Sequence, residues 1–205
     1  MFIVDFDDTL FDTFRYKHAR MDALQDLGVS RELSELTYQA CRIGYTDERH
    51  AALIAKHGFN IEAIEKAFAD CQARAQEFVF SDSVPFLSFL KSTGRSVVLL
   101  SLGGAVTQEA KLKASGLHNW FDRVFIVVAD KISIVRELID GVTDRPVWLF
   151  NDKVQESVDL ARVFPDVKVV MKRSPSFAEE AYQQSGLPHF QTLTEIQAYV
   201  AKHLG

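Results

Sequence analysis

Met1-Phe-Ile-Val-Asp5-Phe-Asp7-Asp8-Thr9-Leu10 opens the chain with an apolar run that ends in two carboxylates spaced two residues apart. Side chains of an extended strand alternate between its faces, so Asp5 and Asp7 share a face if the backbone is still extended there. Two carboxylates held close together repel, and they coexist only with a cation, a shared proton or a hydrogen-bond network. The residues alone admit two explanations. One is a polar strand end entering a helix, with Asp8 or Thr9 as its cap. The other is a carboxylate nucleophile, a second carboxyl acting as acid and base, and a bound divalent cation.

Outward from this stretch the chain has two kinds of pattern. Residues 13–80 are helical in pattern throughout. Asn60 can cap a helix whose apolar positions Ile61, Ile64, Phe68, Cys71, Ala75 and Phe78 form a single buried stripe. Thr46 precedes Ala51, Ala52, Ile54 and Ala55, with Gly58 at the expected helix end. Ser30 can cap another helix after Gly28 closes the first. From Val84 onward short apolar strands, residues 96–100, 124–128, 147–150 and 167–171, alternate with helices. Near-continuous apolar strands separated by helices predict a parallel sheet covered on both faces. Residues 2–6 belong to that sheet, which makes the helical block an insertion. Ligands of such sheets bind beyond the carboxyl ends of the strands, where Asp5, Asp7, Ser101, Asn151 and Asp152 all fall.

Composition narrows the class. With 205 residues, 47% hydrophobic and 25% charged, the chain can bury roughly 70% of its unfolded surface. Its net charge of −5, from 23 Lys and Arg against 28 Asp and Glu, includes no basic tract, so nucleic acid is not expected as a partner. No apolar run approaches the ~20 residues that span a bilayer, and no signal-peptide pattern precedes the first strand. Cys41 and Cys71 lie among apolar residues on helix-like segments and read as buried thiols in a reducing compartment. A cytoplasmic protein with no membrane partner is the expectation.

Asp5-Phe-Asp7-Asp8-Thr9-Leu10 resembles the D-x-D-x-T loop of the haloacid dehalogenase superfamily, and later stretches resemble its further motifs in order. Val97-Val-Leu-Leu-Ser101-Leu-Gly103-Gly104 is similar to the second. Gly116-Leu117 followed by Phe121-Asp122-Arg123-Val124-Phe125 has a spacing common in the family. Lys131 opens a helix-like segment as the third-motif lysine does, and Val147-Trp-Leu-Phe-Asn151-Asp152-Lys-Val-Gln-Glu156 is similar to the acidic fourth motif. The resemblance spans about the whole chain by motif order. It implies an α/β fold whose Rossmann-like parallel sheet, residues 1–12 and 81–205, carries helices on both faces. Residues 13–80 would form an inserted all-helical cap of the C1 type.

Chemical roles follow from the resemblance. Asp5 would attack phosphorus and form an aspartyl-phosphate, while Asp7 would protonate the leaving oxygen and then activate water. Thr9, Ser101, Lys131 and the N–H groups of Leu102 and Gly103 would hold phosphoryl oxygens. Mg²⁺ would be bound by Asp5, Asp152 and the Asp7 carbonyl, with Glu156 as a ligand or an orienter of its water. Glu156 could equally be an exposed acid in the first turn of a helix. Leu102, Asn151 and Glu156 depart from the family pattern, which often has a polar residue, Gly and Asp at those places. Lys111 and Lys113 rival Lys131, though they would have to reach back along their helix. Arg15 and His18, at helical spacing with Asp22, either face an anionic substrate or form a solvated stripe. The implied activity is a Mg²⁺-dependent phosphomonoester phosphatase acting on a small phosphorylated metabolite. A phosphomutase, or a non-catalytic phospho-ligand-binding protein on the same scaffold, remains open. A dehalogenase would leave Asp7 and Asp152 without a task.

Overall fold

The computed structural model describes residues 1–143 and 146–204. β1 (Phe2–Val4) is followed by four helices, α1 (Thr13–Asp26), α2 (Arg31–Cys41), α3 (Asp47–Ala55) and α4 (Ile61–Ala73), and by a 3₁₀ turn at Ala75–Phe78. Strands and helices then alternate: α5 (Ser83–Ser92), β2 (Val97–Leu102), α6 (Ala105–Ala114), β3 (Arg123–Val127), α7 (Ile132–Ile139) and β4 (Val147–Asn151). The chain ends with α8 (Val154–Val163), β5 (Val167–Lys172), α9 (Glu179–Gln184), β6 (His189–Phe190) and α10 (Leu193–His203).

Every residue of β1 is buried, as an apolar strand requires when both its faces are covered. It accordingly lies inside a six-stranded parallel sheet of order β3-β2-β1-β4-β5-β6. Phe2 and Val4 pack on one face with Trp148, Phe150 and Phe86. Ile3 packs on the other with Val98, Leu149, Val135 and Leu160. This is a Rossmann-like α/β fold. The chain runs outward from β1 to β3 and then returns past β1 to β4, so the sheet reverses direction between β1 and β4. That reversal opens a crevice at the carboxyl ends of those two strands.

Helices α1 to α4 enclose a small core of their own, built from Leu24, Val29, Ala51, Ile54, Ile64 and Phe68. Ser30, Thr46 and Asn60 cap α2, α3 and α4 by accepting from Leu33, Arg49 and Ala63 N–H at 3.2, 3.2 and 3.0 Å. The apolar stripe of α4 is shorter than its spacing predicts. Ile61 is exposed, and the helix stops at Ala73. The 3₁₀ turn re-aims the chain so that Phe78 packs on Phe11 and Tyr16 while Val79 bridges to Phe11. β2 continues two residues past the expected Leu100, and β6 has no counterpart in the sequence expectation. Among the described residues no helix is long and apolar enough to cross a membrane.

A buried guanidinium ties this helical block together. Arg20 donates to Asp47 at 2.6 and 3.2 Å and to the Tyr45 hydroxyl at 2.6 Å, and its guanidinium sits 4.0 Å from the Phe68 ring centroid. His50 lies beside it, with Nε2 3.1 Å from Thr37 Oγ1 and Nδ1 3.3 Å from Tyr45 Oη. Burial and the Arg20 charge push the His50 imidazole down to about 4, so it stays neutral in the fold. The unfolded chain binds this proton near pH 6.5, so between those values the unfolded state holds more protons. The stability that depends on neutral His50 is therefore complete above about pH 6.5 and is lost as pH falls toward about 4. The loss is at most about 3 kcal/mol at about 1.4 kcal/mol per pH unit. Urea melts at about pH 7.5 and about pH 5 should show a smaller fall in stability for His50→Gln than for the wild type; equal falls would remove His50 as the cause.

Candidate active site

Because β1 and β4 are neighbours, the residues just beyond their carboxyl ends meet. The Asp5 N–H donates to the Phe150 carbonyl at 2.9 Å, and this fixes its backbone against β4. Asp5 is buried, 4% exposed, and its charge is met by Lys131, itself 2% exposed. Lys131 occupies the first position before α7. Its ammonium has three hydrogens and three partners: Asp5 Oδ1 at 2.7 Å, Asn151 Oδ1 at 3.1 Å and Glu156 Oε2 at 2.9 Å. The Asn151 amide in turn donates to Glu156 Oε2 and Ser157 Oγ, each at 3.0 Å. Burial pulls against the Lys131 charge, but Asp5 and Glu156 outweigh it and hold the ammonium firmly protonated. Burial raises Asp5, with Lys131 opposing.

Asp7 has a separate set of partners, supplied by α6 and α1. Lys111 Nζ and Thr13 Oγ1 donate to its Oδ1. Gln108 Nε2 donates to Oδ2 at 2.6 Å and also to Ser101 Oγ at 2.9 Å. Burial would raise Asp7, yet Lys111 and these hydrogen bonds overcome it and hold the carboxyl below its ordinary range. Gln108 and Lys111 are three apart and share one helical face, whereas Lys113 lies on another and pairs with Glu109 at 2.6 Å in solvent. The reach back along the helix that counted against Lys111 is met by its long side chain, which passes over the Phe6 and Phe11 rings. Lysines 131 and 111 are therefore both in the site, one on each carboxylate.

The two glycines after Ser101 answer a steric demand. A Cβ on Gly103 would fall 2.6 Å from Gln108 Cγ, and one on Gly104 would fall 2.8 Å from the Tyr45 carbonyl oxygen. Gly103 thus makes room for the amide that bridges Asp7 and Ser101. Gly104 seats the α2–α3 connection against the sheet. The expected phosphate cradle is changed by this arrangement. Since β2 extends to Leu102, the Gly103 N–H is consumed by the Val127 carbonyl at 2.8 Å and is not available to a phosphoryl oxygen.

Three buried oxygens near the strand ends have no hydrogen-bond partner: Asp5 Oδ2, Asp152 Oδ1 and Thr9 Oγ1. Burial and the nearby charges of Asp5 and Asp8 push Asp152 well above the usual carboxylate range. Paired buried carboxylates with free oxygens are a fit for a hard cation such as Mg²⁺. The three-carboxylate set of Asp5, Asp152 and Glu156 is not assembled. Among the described residues no three His, Cys, Asp or Glu side chains are grouped to hold a metal, and the Lys131 ammonium stands between Asp5 and Glu156. Glu156 is not an exposed helix-start acid either, because its carboxylate serves Lys131 and Asn151.

A cavity of about 720 Å³ separates the strand ends from the helical block, and Asp7, Asp8, Lys111 and Asp152 line its floor. Arg15 and His18 do not reach it. Tyr16, Lys17, Arg20 and Met21 form the α1 face that does, which turns Arg15 and His18 outward. There Arg15 donates to the Glu77 carbonyl at 2.6 Å, and His18 Nδ1 lies 2.8 Å from the Phe14 carbonyl. Sequence reasoning did not find Gln108, Thr13 or Lys172. Lys172 Nζ is buried 3.6 Å from the Phe80 ring centroid and donates to the Asp8 carbonyl at 3.3 Å. Asp8 is the one non-glycine residue with positive φ, 55°, among those described, so Lys172 braces the turn that carries Asp7. The available signal was position: Gln108 and Lys111 lie on the helix that starts at the end of β2, and Lys172 ends β5.

Removing either lysine tests how the charges are balanced. Lys131→Met should lower unfolding free energy by about 3–5 kcal/mol, since it strands Asp5 and Glu156 without their shared cation. Lys111→Met should lower it by only about 1–3 kcal/mol, because Asp7 keeps Thr13 and Gln108 and its side chain is 25% exposed. Equal losses in denaturant melts would contradict this ranking.

No protein-family model matches the chain, and no curated protein matches it in sequence. Solved structures do match it over nearly the whole chain. A haloacid dehalogenase-like hydrolase from Burkholderia xenovorans LB400 superposes with a TM-score of 0.76 at 18% identity, covering 100% of this chain and 97% of that one. A dehalogenase gives 0.70 at 19% identity, covering 98% and 96%. A protein described as a β-phosphoglucomutase from Thermotoga maritima gives 0.69 at 16% identity, covering 98% of each. At these identities the likeness concerns architecture alone: the chain shares the Rossmann-like α/β fold of these haloacid dehalogenase-like hydrolases.

Proposed function

We propose that the protein is a Mg²⁺-dependent phosphomonoester phosphatase of the haloacid dehalogenase superfamily, with residues 13–80 as its cap. The observation that carries this reading is Asp7. Its carboxylate is held at the floor of the cavity by Lys111, Thr13 and Gln108, and through Gln108 it is tied to Ser101. Displacing a halide needs no proton donor, whereas releasing an alkoxide from a phosphate ester does. A second acid beside the nucleophile therefore favours phosphate chemistry.

Asp5 attacks phosphorus, and the bond to the leaving oxygen breaks as the aspartyl-phosphate forms. Lys131 holds one oxygen of Asp5 and so fixes the direction of attack. Asp7 gives a proton to the leaving oxygen and then takes one from the water that hydrolyses the intermediate. Since its three donors favour the ionised form, Asp7 must loosen from Lys111 and Gln108 and take up a proton before the first step. Ser101, whose hydroxyl proton is unused by Gln108, contributes a donor to the phosphoryl oxygens, as does Thr9 if it turns toward them. Asp5, Asp152 and the Asp7 carbonyl would hold Mg²⁺, which when bound would supply positive charge to the transferring group. Glu156 positions Lys131. The buried free thiols Cys41 and Cys71 suit a reducing cytoplasm, and the partner is a small phosphorylated substrate.

Phosphate release from an aryl phosphate tests the reading. Activity should require Mg²⁺ and stop with chelator, and Asp5→Asn should lower kcat by roughly 10³-fold or more. Asp5→Asn turnover near the wild-type rate would sink the covalent route. Mg²⁺ should also raise the melting temperature of the wild type in a concentration-dependent way, and Asp152→Asn should need more metal for the same rise. An unchanged melting curve over the millimolar range would show that these carboxylates do not bind the cation.

A further inference from the structure

The cavity has a polar floor and a different kind of far side. Toward the helical block its lining includes Met21, Tyr38 and Phe68 beside the polar Arg20, Gln39 and His50. At its mouth stand Ile43, Val128 and Phe177, exposed to 89%, 79% and 36%. These three come from separate connections, α2–α3, β3–α7 and β5–α9. Single apolar residues on a surface are ordinary, but three from different connections lining one cavity form a patch that the fold itself does not use.

The charges of that wall are arranged in a way that narrows the ligand. Arg20 is the buried cation of the helical block, and its hydrogens go to Asp47, Tyr45 and Tyr16. Lys17 and Arg42 line the rim in exposed positions, together with Glu35, and Lys17 lies over the Tyr38 ring at 5.3 Å. Among the described residues the buried cations that line the cavity, Arg20 and Lys111, are already engaged by Asp47 and Asp7, which leaves neither uncommitted for a second anion. A phosphorylated acid of a few carbons would need such a cation and would leave most of the space unfilled. A pocket of this size, in which aromatic and aliphatic side chains stand beside polar groups that are already paired, suits a larger ligand held at one end by its polar group.

We propose, building on the phosphatase reading, that the substrate's alcohol carries a planar aromatic ring, seated against Tyr38, Ile43 and Val128 with Phe177 at the mouth. Flat rings pack on tyrosine and phenylalanine faces and on branched aliphatic side chains with little ordering cost. Aryl phosphates and nucleoside monophosphates share this chemistry. The Tyr45 connection, braced by Arg20 and seated on Gly104, holds the wall at a fixed height above the phosphoryl site.

The test measures kcat/KM for naphthyl phosphate, adenosine monophosphate and phosphoglycolate in the wild type and in the double variant Ile43→Ser, Val128→Ser. Both positions are largely solvent-exposed, so the variant should fold, and its melting curve checks this. The wild type should prefer one or both ring-bearing esters, and which one distinguishes an aryl from a nucleoside substrate. The double variant should lose about tenfold more efficiency on that ester than on phosphoglycolate. A wild-type preference for phosphoglycolate would overturn the proposal, as would equal losses on all three, which would make the patch a closure contact between cap and sheet. If no ester is hydrolysed, including acetyl phosphate with Mg²⁺, the phosphatase reading fails instead. Calorimetric titration of naphthyl phosphate then still decides the ring site: binding that weakens about tenfold in the double variant supports it, and no binding overturns it.

Discussion

A carboxylate cannot stay charged inside a protein without help, and Asp5 stands at the end of a strand that is buried on both faces. Taking either Asp5 or Lys131 out of water alone would cost several kcal/mol, so each is tolerable only because the other is there. The pair dictates much around it. Lys131 must come from the β3–α7 connection, Asn151 must end β4 with its amide turned to link Lys131 and Glu156, and α8 must begin where Glu156 can reach. Three crossovers of the sheet thus converge on one ammonium group. The departures from the family pattern at positions 151 and 156 make sense in this light, since Gly could not link the lysine to the glutamate and a shorter acid would reach less far.

The second ion pair does a different job. Asp7 and Lys111 connect the β1–α1 loop to α6, and Gln108 extends the link to Ser101 in β2. Because this carboxylate is 25% exposed where that of Asp5 is 4% exposed, water can replace one of its partners more readily than it can at Asp5. Fixed nucleophile and movable acid are what the proposed two-step displacement asks of the two residues. The same helix also meets the helical block, where Gly104 allows the Tyr45 carbonyl to approach the sheet closely. Changes at the α2–α3 connection can therefore be felt at Asp7 through one helix.

Much of the architecture was legible along the chain. Buried strands such as Phe2–Val4 and Val147–Asn151 read as apolar runs, and Ser30, Thr46 and Asn60 announced three helix starts through the hydrogen bonds their side chains make locally. The 3₁₀ turn at Ala75–Phe78 and the short strand His189–Phe190 were not legible. The first exists because Phe78 must meet Phe11 and Tyr16, and the second because a sheet edge was available to a two-residue segment too short to show an alternating pattern.

By itself the sequence determined the strand-end chemistry, because apolar runs ending in Asp5, Ser101 and Asn151-Asp152 bring carboxylates and a hydroxyl to one edge of any parallel sheet they form. Tertiary structure alone decided how those groups are shared. That Lys131 serves Asp5 while Lys111 serves Asp7, that the Gly103 amide belongs to β3 and not to a ligand, and that α1 turns Tyr16 and Arg20 to the cavity while Arg15 and His18 face water all depend on distances between elements far apart in the chain. Local spacing fixes which residues share a helix face or a strand face, but the partner across the gap is chosen by packing and by the need to neutralise each buried charge, and neither is written in local order.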